Sequence, residues 1–392
     1  MPRYVVDEAA LRRNLEILKS VADATGAKVL LAQKAFSCTA VYPLCAKYLA
    51  GTTASSLFEA KHGHDHFGGE THVFAPAFDP EEIDEILSLV DHIVFNSPRQ
   101  VALFGEKARA RGVSVGLRVN PEVSVATTPA YDPCRPGSRL GTTRAALDGF
   151  LDARRETRDV AAGGVDGLHF HCLCEQGVDE LRKVLAGFEE RFGDLLPQMK
   201  WVNFGGGHHI TREGYDVDGL VALVCDFRAR HPHLEVYLEP GEAVALNAGT
   251  LESRILEIQP SGADGVSNAI LDVSAACHMP DVLEMPYTPR VVGGRPANSQ
   301  LSNSNSQLQL SNSFLYRFGG PTCLAGDEIG TYAFDHPLHE GDEVVFEDMA
   351  IYSMVKNNTF NGVNLPAIAL RRESGEVEIL RTFGYDDFSM RL

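Results

Sequence analysis

Between residues 8 and 250, short β-rich runs alternate with longer stretches of helical periodicity, and this alternation limits the fold more than any other feature of the chain. Strands are expected at Lys28–Gln33, Gly51–Ser55, His72–Ala75, His92–Phe95, Val113–Val119, Gly167–His171, Trp201–Phe204 and Glu235–Leu238. Amphipathic helices are expected between them, at Ala10–Val21, Pro80–Leu89, Ser97–Arg111, Val178–Arg191 and Val217–Arg230. A strand followed by a helix, repeated, requires parallel pairing through helical crossovers. Eight such units in roughly 250 residues suit a closed (β/α)8 barrel. An open doubly wound sheet is the rival, and no G-x-G-x-x-G follows the first strand to support it.

Beyond residue 250 the helical signal fades. Runs at Leu251–Gln259, Ala269–Val273, Val344–Phe346 and Val377–Thr382 are punctuated by Gly and Pro, which reads as an all-β domain. The expected division is a barrel over 8–248 and a β-domain over 249–392, with residues 1–7 supplying the latter an extra strand around Tyr4–Val6. Residues 293–313, rich in Ser, Asn and Gln, are expected to be a low-complexity insertion without chemistry.

Composition excludes several functions. With 35 Lys plus Arg against 53 Asp plus Glu the formal charge is −18, so nucleic acid, which needs clustered cations, is not the expected partner. Eight cysteines in 392 residues, without a C-x-x-C pair, form neither a disulfide framework nor a zinc ribbon. No run approaches the length of a membrane span and the first residues carry no apolar signal core, so a reducing cytoplasm is the expected location.

In a barrel the strand ends share one mouth, and the chemistry gathers there. The first strand ends in Lys34, and an amine closing so apolar a run is desolvated and made nucleophilic. The sixth ends His169-Phe170-His171, with both imidazoles on one strand face. Gly205, Gly206 and Gly207 follow the seventh, where bare backbone N–H groups suit a phosphate. Glu239 closes the eighth. A lysine, an imidazole, a phosphate cradle and a carboxylate together point to pyridoxal 5′-phosphate: Lys34 for the aldehyde, His171 against the ring, the glycines for phosphate and Glu239 for the pyridinium nitrogen. A zinc pair formed by His169 and His171, as in a barrel hydrolase, is the competing reading; it leaves the glycine run unexplained. His62, His64, His66 and His72 are expected on a solvated surface rather than around a metal, and no metal site is expected elsewhere.

Those motifs, together with Gly320-Pro321-Thr322-Cys323 and with Tyr352 followed by Asn358-Thr359-Phe360-Asn361-Gly362, resemble the fold-type III pyridoxal-phosphate decarboxylases, the ornithine and diaminopimelate decarboxylase family, over nearly the whole chain. Four segments are similar to the branch acting on carboxynorspermidine and carboxyspermidine: Gly167-Leu168-His169-Phe170-His171, Gly205-Gly206-Gly207-His208-His209-Ile210-Thr211, Tyr131 to Gly141, and Ala276-Cys277-His278-Met279-Pro280-Asp281 with Glu284-Met285-Pro286-Tyr287. The resemblance implies a homodimer with shared active sites, in which Cys323 enters the partner's site and Tyr352 closes over the cofactor phosphate. It implies Lys34, Cys323 and His171 as catalytic residues, Cys323 or Lys34 being the proton donor. The implied activity is decarboxylation of a small cationic carboxylated polyamine; a diaminopimelate or ornithine-type decarboxylase is the alternative on the same fold, and a racemase would favour arginine over Glu239. Where better-known relatives carry Glu-Pro-Gly-Arg this chain has Glu239-Pro240-Gly241-Glu242, and an acidic group there suits a cationic tail. Glu242, Asp281, Glu284 and His278 are therefore the expected substrate contacts. Leu324 stands where the relatives have an acid.

Overall fold

The computed structural model describes residues 1–153, 164–297 and 313–392. The chain divides into two compact units, Met1–Leu11 with Ala245–Leu392, and Arg12–Val244. Most of the low-complexity stretch, residues 298–312, lies outside the described residues.

The chain opens with β1 (Arg3–Asp7) and then enters the barrel unit. There β2 (Lys28–Ala32), β3 (Gly51–Ala54), β4 (Glu70–Phe74), β5 (His92–Phe95), β6 (Ser114–Arg118), β7 (Gly167–His169), β8 (Trp201–Asn203) and β9 (Glu235–Leu238) pair in parallel and close, β2 returning to β9. All eight expected strands are present, each within two residues of its expected bounds. The expected helix at Pro80–Leu89 is shorter, Ile83–Ile86.

Local chemistry starts the helices. At Leu57–His66, Ser56 Oγ accepts the Glu59 N–H at 3.3 Å while the Glu59 carboxylate takes the Ser55 N–H at 2.7 Å. Pro98 opens Pro98–Ala110 behind the Ser97 cap. Val178, Leu181, Val184, Leu185, Phe188 and Phe192 recur at helical spacing along Val178–Phe192 and are buried. Burying each such side chain is worth about 1.5–3 kcal/mol.

Strand parity sends alternate residues into the barrel. Leu30, Val94, Trp201 and Tyr237 fill its middle. The one tryptophan needs two bare neighbours: a Cβ on Gly167 would lie 2.1 Å from the Trp201 ring, and on Gly116 2.4 Å. Toward the strand beginnings Lys28 is held between Glu70 and Glu235, and the His72 and His92 rings stack 4.1 Å apart at 7°. His72 is therefore interior, not part of the surface histidine run; that run, His62 to His66, lies on the helix Leu57–His66.

The other unit is a nine-stranded sheet. Its strands after β1 are β10 (Gly249–Gln259), β11 (Ser267–Leu271), β12 (Arg295–Pro296), β13 (Phe314–Gly319), β14 (Glu328–Phe334), β15 (Glu343–Glu347), β16 (Ala367–Arg371) and β17 (Val377–Arg381). The order is β12-β14-β13-β11-β10-β1-β16-β17, with β15 also on β10. β1 runs antiparallel to β10 and parallel to β16, and Tyr4 is buried with its hydroxyl on the His278 carbonyl.

Candidate active site

The carboxyl ends of the barrel strands surround a cavity of about 180 Å³, lined by Lys34, Arg118, His169, His171, Glu239 and Phe74 among others. The Lys34 side chain borders the cavity and is solvent-exposed there, although protein packs densely around it. Burial and then the nearby Arg118 guanidinium push its pKa down, so more of the amine is free base at neutral pH than for an ordinary lysine. Among the described residues it makes no hydrogen bond, which leaves the nitrogen available for a reaction.

Glu239 lines the same cavity, at the end of the neighbouring strand β9. Its carboxylate accepts from Asn203 Nδ2 at 2.8 Å and from His169 Nε2 at 3.2 Å. Burial alone would raise its pKa; the His169 ring, His72 and the Asn203 amide outweigh burial and hold it at about 2. His169 is pushed down by burial, so a neutral ring donating Nε2–H is the form that fits the pair. The result is a buried carboxylate that stays ionised.

His171 is oriented by the glycine loop. Gly206 N–H donates to its Nδ1 at 3.0 Å, and burial followed by the Lys34 and Arg118 charges keeps the ring neutral. Gly205 has φ +69° and a Cβ there would lie 2.4 Å from Phe170 O; at Gly207, φ +83°, a Cβ would lie 2.1 Å from Leu173 O. Only bare backbone passes between these carbonyls, and Asn203 Oδ1 fixes the turn through Gly205 N–H at 2.8 Å.

The structure separates the remaining candidates. Glu242 does not line the cavity; its carboxylate takes a 2.7 Å hydrogen bond from His209 Nε2, tying the Glu-Pro-Gly-Glu turn to the glycine loop. Cys323, Tyr352, Asp281, Glu284 and His278 belong to the sheet unit. Asp281 and Glu284, one helical turn apart, share the Lys356 ammonium. His278 is fully buried, its Nδ1 taking the Ser274 N–H at 3.2 Å. The sequence reading does not single out Arg118: it is buried, its guanidinium lies 4.4 Å over Phe74 and donates to His171 O at 3.0 Å, and among the described residues it forms no ion pair. It closes an apolar strand as Lys34 does, which is the signal that could have found it.

These residues fit pyridoxal phosphate. A depressed lysine amine, an ionised carboxylate on the same cavity, a neutral imidazole of fixed plane and a backbone loop that admits no Cβ match its aldehyde, ring nitrogen, ring face and phosphate. His169, His171 and Glu239 also offer ligand atoms within 4.8 Å of one another. For a divalent metal, however, Lys34 and Arg118 on the same cavity oppose the charge, and Glu239 and His171 Nδ1 are already hydrogen-bonded.

Fold and cavity thus define a barrel enzyme of the pyridoxal-phosphate class. The chain belongs to the pyridoxal-dependent decarboxylases: the family model described as "Pyridoxal-dependent decarboxylase, C-terminal sheet domain" matches residues 4–350. It is 44% identical to a carboxynorspermidine/carboxyspermidine decarboxylase of Campylobacter jejuni over 100% of this chain and 98% of the relative. It is 42% identical to a carboxyaminopropylagmatine decarboxylase of Synechocystis, covering 100% and 95%. The crystal structure of carboxynorspermidine decarboxylase complexed with norspermidine from Campylobacter jejuni is similar across 100% of both chains, at 43% identity and TM-score 0.89. A Helicobacter pylori diaminopimelate decarboxylase at 16% identity and TM-score 0.79 shares the fold.

Proposed function

We propose that this protein decarboxylates carboxynorspermidine and carboxyspermidine, yielding norspermidine and spermidine, as a cytoplasmic homodimer with shared active sites. The observation that carries the reading is Lys34 and Glu239 on one cavity, with the glycine loop bonded to the His171 that also lines it, in a chain whose full-length relatives are named as decarboxylases of carboxylated polyamines.

When bound, pyridoxal phosphate supplies the electron sink for the pair of electrons left as carbon dioxide departs. Lys34, its pKa depressed, offers the aldehyde a free amine more readily than an ordinary lysine and returns as a local base. Glu239, held ionised by Asn203 and His169, keeps a proton on the ring nitrogen. His171, its plane set by Gly206, packs against the ring face. The bare Gly205-Gly206-Gly207 loop receives the phosphate, with the Gly207 N–H, which is not given to Asn203 or His171, as its donor and Tyr352 closing over it. Cys323 of the partner subunit or Lys34 delivers the proton that replaces the carboxyl group.

The tail of the substrate carries ammonium groups, and Asp281 with Glu284 already grips one, that of Lys356. A polyamine amine would reproduce that arrangement, with Glu242 contributing negative potential. The 42% identity to a carboxyaminopropylagmatine decarboxylase supports a second reading, a guanidinium-ended tail. A substrate panel tests both: carboxynorspermidine, carboxyspermidine, carboxyaminopropylagmatine, diaminopimelate and ornithine. The proposal expects the first two to have the highest kcat/KM; a preference for the third selects the second reading, and a preference for diaminopimelate or ornithine overturns both.

A further inference from the structure

Asp327 is a buried carboxylate in the sheet unit whose every partner is a hydrogen-bond donor. Oδ1 accepts from Ala276 N–H at 3.1 Å, Oδ2 from Thr322 Oγ1 at 2.7 Å and Thr322 N–H at 3.4 Å, and Ser274 Oγ lies 2.9 Å from both oxygens. Gly320 is bare because a Cβ there would lie 2.2 Å from Oδ2. The Asp327 backbone closes the same loop, donating to Leu324 O and accepting from Gly320 N–H, both at 2.9 Å.

The loop so clamped is the one that carries the exposed Cys323. Its other side is held as well: Cys323 N–H donates to Asn361 Oδ1 at 2.8 Å, from a residue at φ +57°, a conformation asparagine tolerates better than most side chains. Asn358 in turn bonds the Ala276 and Cys277 carbonyls. Three segments far apart in sequence, 274–278, 320–327 and 358–361, thereby become one polar knot around Asp327.

We propose that Asp327 is the positioning residue for Cys323, fixing the thiol for proton delivery by clamping Thr322 to Ser274 and Ala276. This rests on the proposed role of Cys323 in the decarboxylation. An asparagine at 327 would still accept from Ala276 but would turn an amide donor toward the Thr322 N–H. The hydroxyls can rotate to adapt and the backbone N–H cannot, so the loosening is confined to the Cys323 side.

The test is a double-mutant cycle on the full-length holoenzyme. Asp327→Asn is expected to lower kcat about 10–100-fold, the scale of a misplaced reacting group, with KM within about threefold. Combined with Cys323→Ala it should add nothing to the loss caused by Cys323→Ala alone. Thr322→Val should behave like Asp327→Asn, and Thr322→Ser should restore the rate; this pair decides the matter if the Asp327 variant does not fold. Additive losses overturn the inference, as does a Thr322→Val enzyme with wild-type kcat. A Cys323→Ala enzyme with unchanged kcat instead removes the role of Cys323; a loss from Asp327→Asn in that case overturns the positioning role too.

Discussion

His169 and Glu239 meet inside the barrel, Nε2 to Oε2 at 3.2 Å, and both are nearly inaccessible to water, 1% and 7% exposed. With Asn203 on the other carboxylate oxygen, the pair keeps a negative charge where water cannot compensate it. In the proposed mechanism this charge, held in advance, would be the fixed electrostatic term at the cofactor ring nitrogen.

Glu239→Gln is therefore expected to lower kcat about 10²–10³-fold while pyridoxal phosphate still attaches to Lys34. The native carboxyl titrates at about 2, below its unfolded value of about 4.3. A depressed carboxyl stabilises the fold fully above the unfolded pKa, and that contribution is lost as pH falls through the native one. Tm measured between pH 6 and pH 2 should fall less steeply in Glu239→Gln than in wild type, and an identical slope would count against the pair.

Arg118 depresses the Lys34 amine after burial does. Arg118→Gln should raise that pKa, moving the midpoint for Lys34 capture by an aldehyde under borohydride to higher pH. Peptide mass spectrometry at Lys34 reads the midpoint, and a shift to lower pH would contradict the electrostatic account.

Gly205→Ala forces a left-handed residue to place a Cβ 2.4 Å from the Phe170 carbonyl. Strain of about 1–3 kcal/mol is expected, seen as a lower Tm, together with weaker affinity for pyridoxal phosphate by equilibrium dialysis. An alanine variant with wild-type affinity would show that the loop is not the phosphate cradle.

At Lys356 the direction of the effect is diagnostic. The ammonium is half-exposed and holds Glu284 at 2.5 Å, and ion pairs of that kind are worth only about 0–1 kcal/mol. Lys356→Met should lower KM for carboxynorspermidine by removing a tethered competitor, whereas Asp281→Asn and Glu284→Gln should each raise it roughly fivefold. Steady-state kinetics at fixed ionic strength decides between them.

The barrel was legible because alternate residues of each short strand had to be apolar or small to fill a closed interior, and helical periodicity separated them. The β-domain was less so: β13 and β16 lie parallel to β11 and β1, partners distant in sequence that set their register. Lys34, His171 and Glu239 could be found as polar residues ending apolar strands. Arg118 obeys the same rule. His72 was grouped with its sequence neighbours, although strand parity with Phe74 sends it inside. Asp327 carried no local signal, since its meaning comes from Ser274 and Thr322, which only folding brings to it. Glu242 read as an open acid and is engaged by His209.

The central claim is that Lys34 anchors the cofactor for loss of carbon dioxide from a carboxylated polyamine. Release of labelled carbon dioxide from carboxyl-labelled carboxynorspermidine, by wild type and by Lys34→Ala loaded with pyridoxal phosphate, tests it most directly. The account predicts steady release by wild type and at least about a 10³-fold loss in the variant. Equal release from both, or none from wild type, would contradict it.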